Sequence, residues 1–256
     1  MIFEPSFWNL IARVIKIHEL KYFIIALCAL FFPCEFHKMT ETKCQVIKLI
    51  DDVDGSCAYL YKNWLGKDYA DTLLKFCQDL DTKLYPFGMK QKRLLWACGD
   101  PGVYHAFRNV EVDIHHWPAE FKNVHNKLFK EFDVYTNFLL VNHYRNGQDG
   151  TGLHADGELN AKNKSVFTAS LGATRKMRLS FIHNTGKKDI VFEVEHGDLF
   201  YMFGDIQSKV KHAIDEDASV KDTRYSLTSR STLLREITAV ERRQTRQGKL
   251  SFQKST

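Results

Sequence analysis

From residue 138 to residue 231 the chain is cut into short runs rich in β-branched and aromatic residues: FLLVNHYR, VFTASL, KMRLSFI, IVFEVE, DLFYMF and RYSLTSRS. Gly, Asp or Asn turns separate them, the pattern of strands joined by tight connections. Ahead of these runs the period changes. Residues 67 to 84 set Tyr69, Leu73, Leu74, Cys77, Leu80 and Leu84 at three- and four-residue spacing, which predicts an amphipathic helix. Residues 119 to 131 do the same with Phe121, Val124, Leu128 and Phe129. Two helices ahead of about eight short strands make an α+β protein whose larger part is a sandwich or jelly roll.

Composition closes off other classes. At 256 residues and 44% hydrophobic, the chain can bury one sizeable core, and disorder throughout is excluded. Five Pro, 14 Gly and no fixed repeat exclude collagen-like, low-complexity and solenoid architectures. Six cysteines fall in the first hundred residues with no CxxC pair, which argues against a zinc site or disulfide framework. Reduced thiols in an intracellular compartment are the plainer reading. Net charge is +5, of which residues 235 to 256 contribute +4 from six Lys/Arg and two Glu. That basic tail suits an accessory contact to phosphates, or else a solvated, frayed terminus. An uncharged run, YFIIALCALFFPC, occupies residues 22 to 34; thirteen residues fall short of the roughly 20 that span a bilayer. No small-x-small cleavage site follows it. Residues 1 to 38 therefore read as a hydrophobic leader dispensable to the fold, and residues 39 to 85 as an N-terminal helical segment.

Chemistry concentrates after a Gly-rich turn, NGQDGTG, where His154-Ala155-Asp156 follows at once. In a strand the side chains of i and i+2 share a face, so His154 and Asp156 supply two of the three ligands of a two-histidine, one-carboxylate iron(II) site. The second histidine must come from another strand. His196-Gly197-Asp198 offers a rival pair, and either pair could equally be a turn histidine with a capping aspartate. Later, Arg224, Ser226, Thr228 and Arg230 alternate with Tyr225, Leu227 and Ser229, so two guanidiniums share one face. Facing inward they need an anion to offset burial, and a small dicarboxylate would serve. Facing outward they would form a wet edge strand with Leu227 in the core. In FLLVNHYR, Asn142 and Tyr144 share a face with Leu140, while His143 turns away with Val141.

Taken in order, these elements resemble the AlkB-type 2-oxoglutarate and iron(II)-dependent dioxygenases, in particular the DNA-repair homologues of animals. The resemblance covers roughly residues 86 to 234. It lies in Asn142, Tyr144, Arg145, Asn146 and Gly147; in Gly152, His154 and Asp156 with Glu158 beyond; in Ser170 to Arg175; in the His196 to Leu199 turn; and in Arg224 to Arg230. It implies a double-stranded β-helix, or jelly roll, over residues 86 to 236, with a nucleotide-recognition lid at 86 to 118 and a basic tail at 237 to 256. It implies iron(II) held by His154, Asp156 and His212, with 2-oxoglutarate and O2 as cosubstrates. Arg224 would bind the distal carboxylate of 2-oxoglutarate and Arg230 its keto-acid end, with Asn142, Tyr144, Ser226 and Thr228 completing the pocket. His196 then becomes the turn histidine of a barrel strand. Ser226 stands where the family has Asn.

On the substrate side the resemblance implies a base flipped out of the duplex and stacked on an aromatic side chain. Phe107 is the stacking candidate, supported by His105 or Trp96, and Phe87 is the candidate wedge; core packing is the competing reading for all of them. An acidic residue follows the ligand Asp in the DNA-repair relatives; here Gly157 stands there, and Glu158 comes next. The implied activity is oxidative demethylation of N-alkylated bases in DNA, such as 1-methyladenine and 3-methylcytosine, releasing formaldehyde. Rival readings are the same chemistry on RNA or a protein, or a non-catalytic jelly roll that binds nucleic acid. A DNA-repair role implies the nucleus, with the cytoplasm as the alternative; a monomer is expected, with no stable membrane partner unless the leader is retained. The leader reading predicts that a fragment from Met39 to Thr256 folds by itself. A cooperative thermal transition in the soluble fragment is the expected result; an insoluble or non-cooperative fragment would refute it.

Overall fold

The computed structural model describes residues 44–52, 54–85, 92–107, 110–156, 164–182 and 186–232. The leader at 1 to 38, the tail at 237 to 256, Phe87 and Glu158 lie outside the described residues.

Fourteen strands and three helices are described. β1 (Val46–Asp51) and β2 (Cys57–Tyr61) form a hairpin, followed by α1 (Lys67–Gln78) and β3 (Leu94–Gly99). Three two-residue strands come next: β4 (Ala106–Phe107), β5 (Val110–Glu111) and β6 (Ile114–His115). Then follow α2 (Ala119–Phe132), β7 (Phe138–Tyr144), β8 (Thr151–His154), β9 (Val166–Gly172), β10 (Arg175–Phe181), β11 (Ile190–Val194) and β12 (Leu199–Phe203). The single turn α3 (Ile206–Lys209) leads into β13 (Val210–Ile214), and β14 (Arg224–Arg230) ends the described chain.

The major sheet has the order β1-β2-β12-β9-β14-β7-β3-β6, antiparallel except for the β3–β6 pair. The minor sheet has the order β11-β10-β13-β8 and is antiparallel throughout. Ile50, Leu60, Val166, Met202 and Phe200 from the major sheet meet Met177, Leu179, Val194, Val210 and Ile214 from the minor one. On its other face the major sheet packs Leu139, Val141, Phe167, Leu171, Tyr225 and Leu227 against Leu73 and Cys77 of α1 and Phe121, Val124 and Leu128 of α2. Its central strands are therefore covered on both sides, which makes the fold a jelly roll backed by helices.

α2 runs one residue beyond the expected range and stops at Asp133, whose left-handed backbone (φ 52°) lets its N–H donate to the Phe129 carbonyl at 3.0 Å. α1 is shorter than the periodicity predicts. Past Gln78 the chain leaves the helix, and Lys83 exchanges both backbone hydrogen bonds with Leu95 of β3, at 2.8 and 2.7 Å. A long-range bridge thus overrides local amphipathicity. The segment 39 to 85 is not helical throughout: β1 and β2 precede α1, and β2 pairs with β12 to extend the major sheet.

Two turns at the open end of the sandwich are zipped together. Gly147 donates to the Val220 carbonyl at 2.8 Å, and the Asp217 N–H donates to the Gly147 carbonyl, also at 2.8 Å. A Cβ on residue 147 would lie 1.7 Å from the Asp217 carbonyl oxygen, which backbone, unlike a side-chain tip, cannot easily vacate. Gly147→Ala is expected to cost about 3 kcal/mol. Urea unfolding checks it: an unchanged midpoint would show that the two turns separate at little cost.

Candidate active site

Alternation along two neighbouring strands builds the site. β14 lies between β9 and β7, with Arg224 opposite Tyr144, Ser226 opposite Asn142 and Thr228 opposite Leu140. Being interior, β14 cannot be the wet edge strand that its polar face also allowed. Tyr225 and Leu227 point to the helices. Arg224, Ser226, Thr228 and Arg230 line a cavity of about 280 Å³ between the sheets, together with Asn142 and Tyr144. His143 turns away, as its position predicts, and stacks on Tyr225 with ring centroids 4.3 Å apart.

The minor sheet contributes the other wall. His154 at the end of β8 is the register partner of His212 on β13, and their ring centroids are 4.2 Å apart. Asp156 follows two residues on, its carboxylate 3.9 Å from His154 Nε2 and 3.8 Å from His212 Nε2. One donor atom from each of the three lies within 4.8 Å of the others. His154 Nδ1 sits 2.9 Å from the Gly152 carbonyl, so it donates there and leaves Nε2 with a bare lone pair toward the cavity. The Gln207 side-chain oxygen accepts from the Asp156 backbone N–H at 3.1 Å, and this bond fixes the chain just past the strand.

Electrostatics keep this trio ready for a cation. Burial pushes His212 down to about 4, so its imidazole is neutral near pH 7. Burial alone would raise Asp156, but Arg230, His212 and His154 outweigh it and hold the carboxyl at about 2. The Arg230 guanidinium lies 3.0 Å from Asp156 Oδ1. Two imidazoles and a carboxylate converging from one side suit iron(II).

At the other end, Arg224 is 1% exposed and has no carboxylate partner among the described residues. Its Nη2 donates to Ser170 Oγ at 3.0 Å, and its guanidinium stacks 5.1 Å from the Tyr144 ring centroid. Its Nε and Nη1 are buried with no hydrogen-bond partner among the described residues. Burial lowers its pKa, and the nearby charge of Arg175 adds to the strain. A buried, half-satisfied cation at a cavity wall fits a carboxylate ligand. Tyr144 is held in place by its hydroxyl, 2.9 Å from Thr151 Oγ1.

Of the substrate-side residues, His105 is buried at the cavity wall, its ring 4.9 Å from Phe138. Trp96 is a correction. It faces the helices, stacked on His115 at 4.7 Å and packed edge-on to Phe121 at 5.7 Å, because on β3 it alternates with Leu95, and it is Leu95 that lines the cavity. Phe107 belongs to β4, paired with Val110 of β5, and its side chain lies outside the described residues. Sequence reasoning missed Thr151, Thr168, Met177 and Ile214 as lining residues. β-Strand alternation alone would put Thr151, three positions before His154, on the opposite face; the register shift between His212 and Ile214, which no sequence rule marks, accompanies its place at the cavity, and for Met177 nothing in the sequence marked it.

The rival pair, His196 and Asp198, is saturated by the protein. Gly172 N–H donates to His196 Nδ1 at 2.9 Å, and Nε2 donates to Asp71 at 3.0 Å. Asp198 accepts from the backbone N–H groups of Asn63 and Glu195, both at 2.8 Å, and pairs with Lys62.

The profile of the 2OG-Fe(II) oxygenase superfamily matches residues 58–230. The chain belongs to that superfamily. Membership brings iron(II), 2-oxoglutarate and O2 as the working set of a dioxygenase. The chain is 25% identical over 142 residues to the DNA oxidative demethylases ALKBH2 of Bos taurus and Mus musculus, covering 53% of itself and 51% and 59% of theirs. It is 33% identical over 95 residues to the uncharacterized protein R406 of Acanthamoeba polyphaga mimivirus, covering 37% of this chain and 47% of that one. It thus spans about half the length of the curated relatives it matches. The solved structure of OsALKBH1 shares the fold, with a TM-score of 0.51 and 19% identity over 68% of this chain and 96% of that one.

The Asp156–Arg230 pair makes a prediction that separates ligand loss from stability loss. Asp156→Asn leaves Arg230 buried without its carboxylate, so metal-free protein is expected to lose about 3 kcal/mol. His154→Ala removes a ligand without stranding a charge and is expected to change metal-free stability far less. The sign of the pH effect follows. The folded carboxyl binds its proton more weakly than the unfolded one at 3.8, so this stabilisation is complete above that pH and disappears as pH falls toward 2. Metal-free melting curves of both variants check it; equal melting temperatures would refute the pair's contribution.

Proposed function

We propose that this dioxygenase demethylates N-alkylated bases in DNA, 1-methyladenine and 3-methylcytosine among them, by direct reversal with release of formaldehyde. The observation that carries the reading is the single cavity wall that joins the His154, Asp156 and His212 cluster to the half-satisfied Arg224. The similarity to two DNA oxidative demethylases supports DNA as the polymer. In this reading the three clustered side chains hold iron(II), Arg224 takes the distal carboxylate of 2-oxoglutarate, and Tyr144 and Thr228 close its pocket.

When bound, iron(II) and 2-oxoglutarate supply the oxidation: O2 is consumed, 2-oxoglutarate leaves as succinate and CO2, and one oxygen atom enters a methyl C–H bond. The hydroxymethyl group on the ring nitrogen then breaks its C–N bond, giving formaldehyde and a free N–H. No side chain acts as a nucleophile. What the chain contributes is binding and exclusion of water: Arg230 holds Asp156 ionised and in place, and Leu95, Leu140 and Met177 keep the cavity wall apolar. His105 and Phe107 contact the extruded base, and Glu158 and Phe87 complete the substrate side. A repair role places the chain in the nucleus. Among the described residues no helix is long and apolar enough to cross a membrane.

The test measures formaldehyde and succinate together on methylated single-stranded DNA, duplex DNA and RNA, with His154→Ala as the blank. The expected result is stoichiometric release on DNA that vanishes in the blank, and about tenfold weaker oligonucleotide use by Phe107→Ala, the scale of one lost base stack. Succinate without substrate dependence would remove the nucleic-acid assignment. Release on RNA alone would move it to that polymer.

A further inference from the structure

Asn142 sits in a hydrogen-bond chain whose direction is dictated by chemistry. Arg93 Nε lies 2.7 Å from Asn142 Oδ1, and Asn142 Nδ2 lies 3.2 Å from Ser226 Oγ. An arginine has only donors to give, so the amide must turn its oxygen to Arg93 and its NH2 to Ser226. The reverse orientation would press two donors together in a buried place, an arrangement that costs the desolvation of both. Ser226, 3% exposed, therefore uses its oxygen as an acceptor from Asn142. Its hydroxyl hydrogen has no acceptor among the described residues, and Arg93, Asn142 and Ser226 all line the same cavity.

We infer that Arg93 is a positioning residue for cosubstrate binding: by fixing the amide of Asn142 it leaves Ser226 as a hydroxyl donor to a carboxylate in the cavity. This rests on the 2-oxoglutarate reading above. Arg93 belongs to the strand-edge segment just ahead of β3, where the sequence suggested a part of the nucleotide lid; its bond to Asn142 ties it to the cosubstrate side. The inference also gives a role to the short side chain at position 226. A serine can serve there only if something forces its proton toward the ligand, and the Arg93-to-Asn142 bond does that.

The test is a binding cycle, read by isothermal titration of 2-oxoglutarate into the full chain loaded with Mn(II) under argon. Ser226→Ala is expected to weaken binding about tenfold, the scale of one hydrogen bond to a charged group. Asn142→Asp reverses the chain, because its carboxylate accepts from both neighbours and draws the serine proton away from the ligand. Binding should weaken, and adding Ser226→Ala to it should cost less than about twofold more, since the donor is already lost. Arg93→Met, alone and with Ser226→Ala, repeats the cycle without an added charge and without relying on the Asp variant to fold. Parental binding by Ser226→Ala, or full additivity in both cycles, would overturn the relay alone. A parent chain that takes up no 2-oxoglutarate would overturn the function reading together with this one.

Discussion

Two guanidiniums buried on one interior strand set the terms for the rest of the molecule. Arg224 and Arg230 are 1% and 4% exposed, on a strand hydrogen-bonded on both sides. A strand in that position cannot turn its polar face to water, and slipping the register by one residue would bury the arginines among the helix-facing aromatics instead. The fold has to neutralise the charges where they stand. It does so unequally. Arg230 has the carboxylate of Asp156 at 3.0 Å, while Arg224 has a serine hydroxyl and the face of Tyr144. That inequality gives the cavity its polarity: one end is balanced by the protein and carries the imidazoles, and the other end is left short of an anion.

Arg175 is a third buried arginine, and here backbone carbonyls serve both Nη atoms while only Nε lacks a partner among the described residues. It is 2% exposed, and its Nη2 donates to the carbonyls of Asp149 at 2.8 Å and Asp215 at 2.6 Å. These carbonyls belong to the two turns that Gly147 zips together, so Arg175 and Gly147 lock the same junction from opposite sides. Its guanidinium also lies 5.7 Å from the Tyr144 ring centroid, on the residue that stacks with Arg224. The junction and the anion pocket thus share Tyr144 as a common neighbour. Arg175 and Arg224 both lie near the Tyr144 ring, which Thr151 holds by its hydroxyl.

The sequence disclosed more of the site than of the scaffold, for a physical reason. Period-two alternation in β7 and β14 assigns each side chain to a face without any knowledge of partners, and it sorted Asn142 and Tyr144 from His143, and Arg224 to Arg230 from Tyr225 and Leu227. Alternation says nothing about how far a helix runs before a distant strand captures the chain, so α1 ended early at the Lys83–Leu95 bridge. The hairpin β1–β2 was unreadable for the same reason: its place in the sheet is decided by pairing with β12, 138 residues later in register at Leu199 and Tyr61. Trp96 illustrates the limit of composition. An aromatic residue near a suspected base-binding segment was attractive, but its neighbour Leu95 already held the inward face of β3.

The two His-x-Asp pairs in the chain are separated by what surrounds them rather than by the motif. Each would pass a spacing rule. His196 has both ring nitrogens engaged, one by a backbone N–H and one by Asp71, and the carboxylate of Asp198 is spent on two backbone amides and Lys62. No donor atom is left for a metal, and the turn they organise joins β11 to β12. His154 and Asp156 carry fewer obligations: Nε2 of the histidine is bare, and the carboxylate faces two imidazoles nearly 4 Å away, too far for a hydrogen bond and close enough to share an ion. Apart from Arg230 on Asp156 and the Gly152 carbonyl on His154 Nδ1, the donor atoms that face one another in this cluster are left without protein partners and are available to an ion. Saturation therefore discriminates a structural turn from a metal centre where spacing cannot, and it does so with no appeal to kinship.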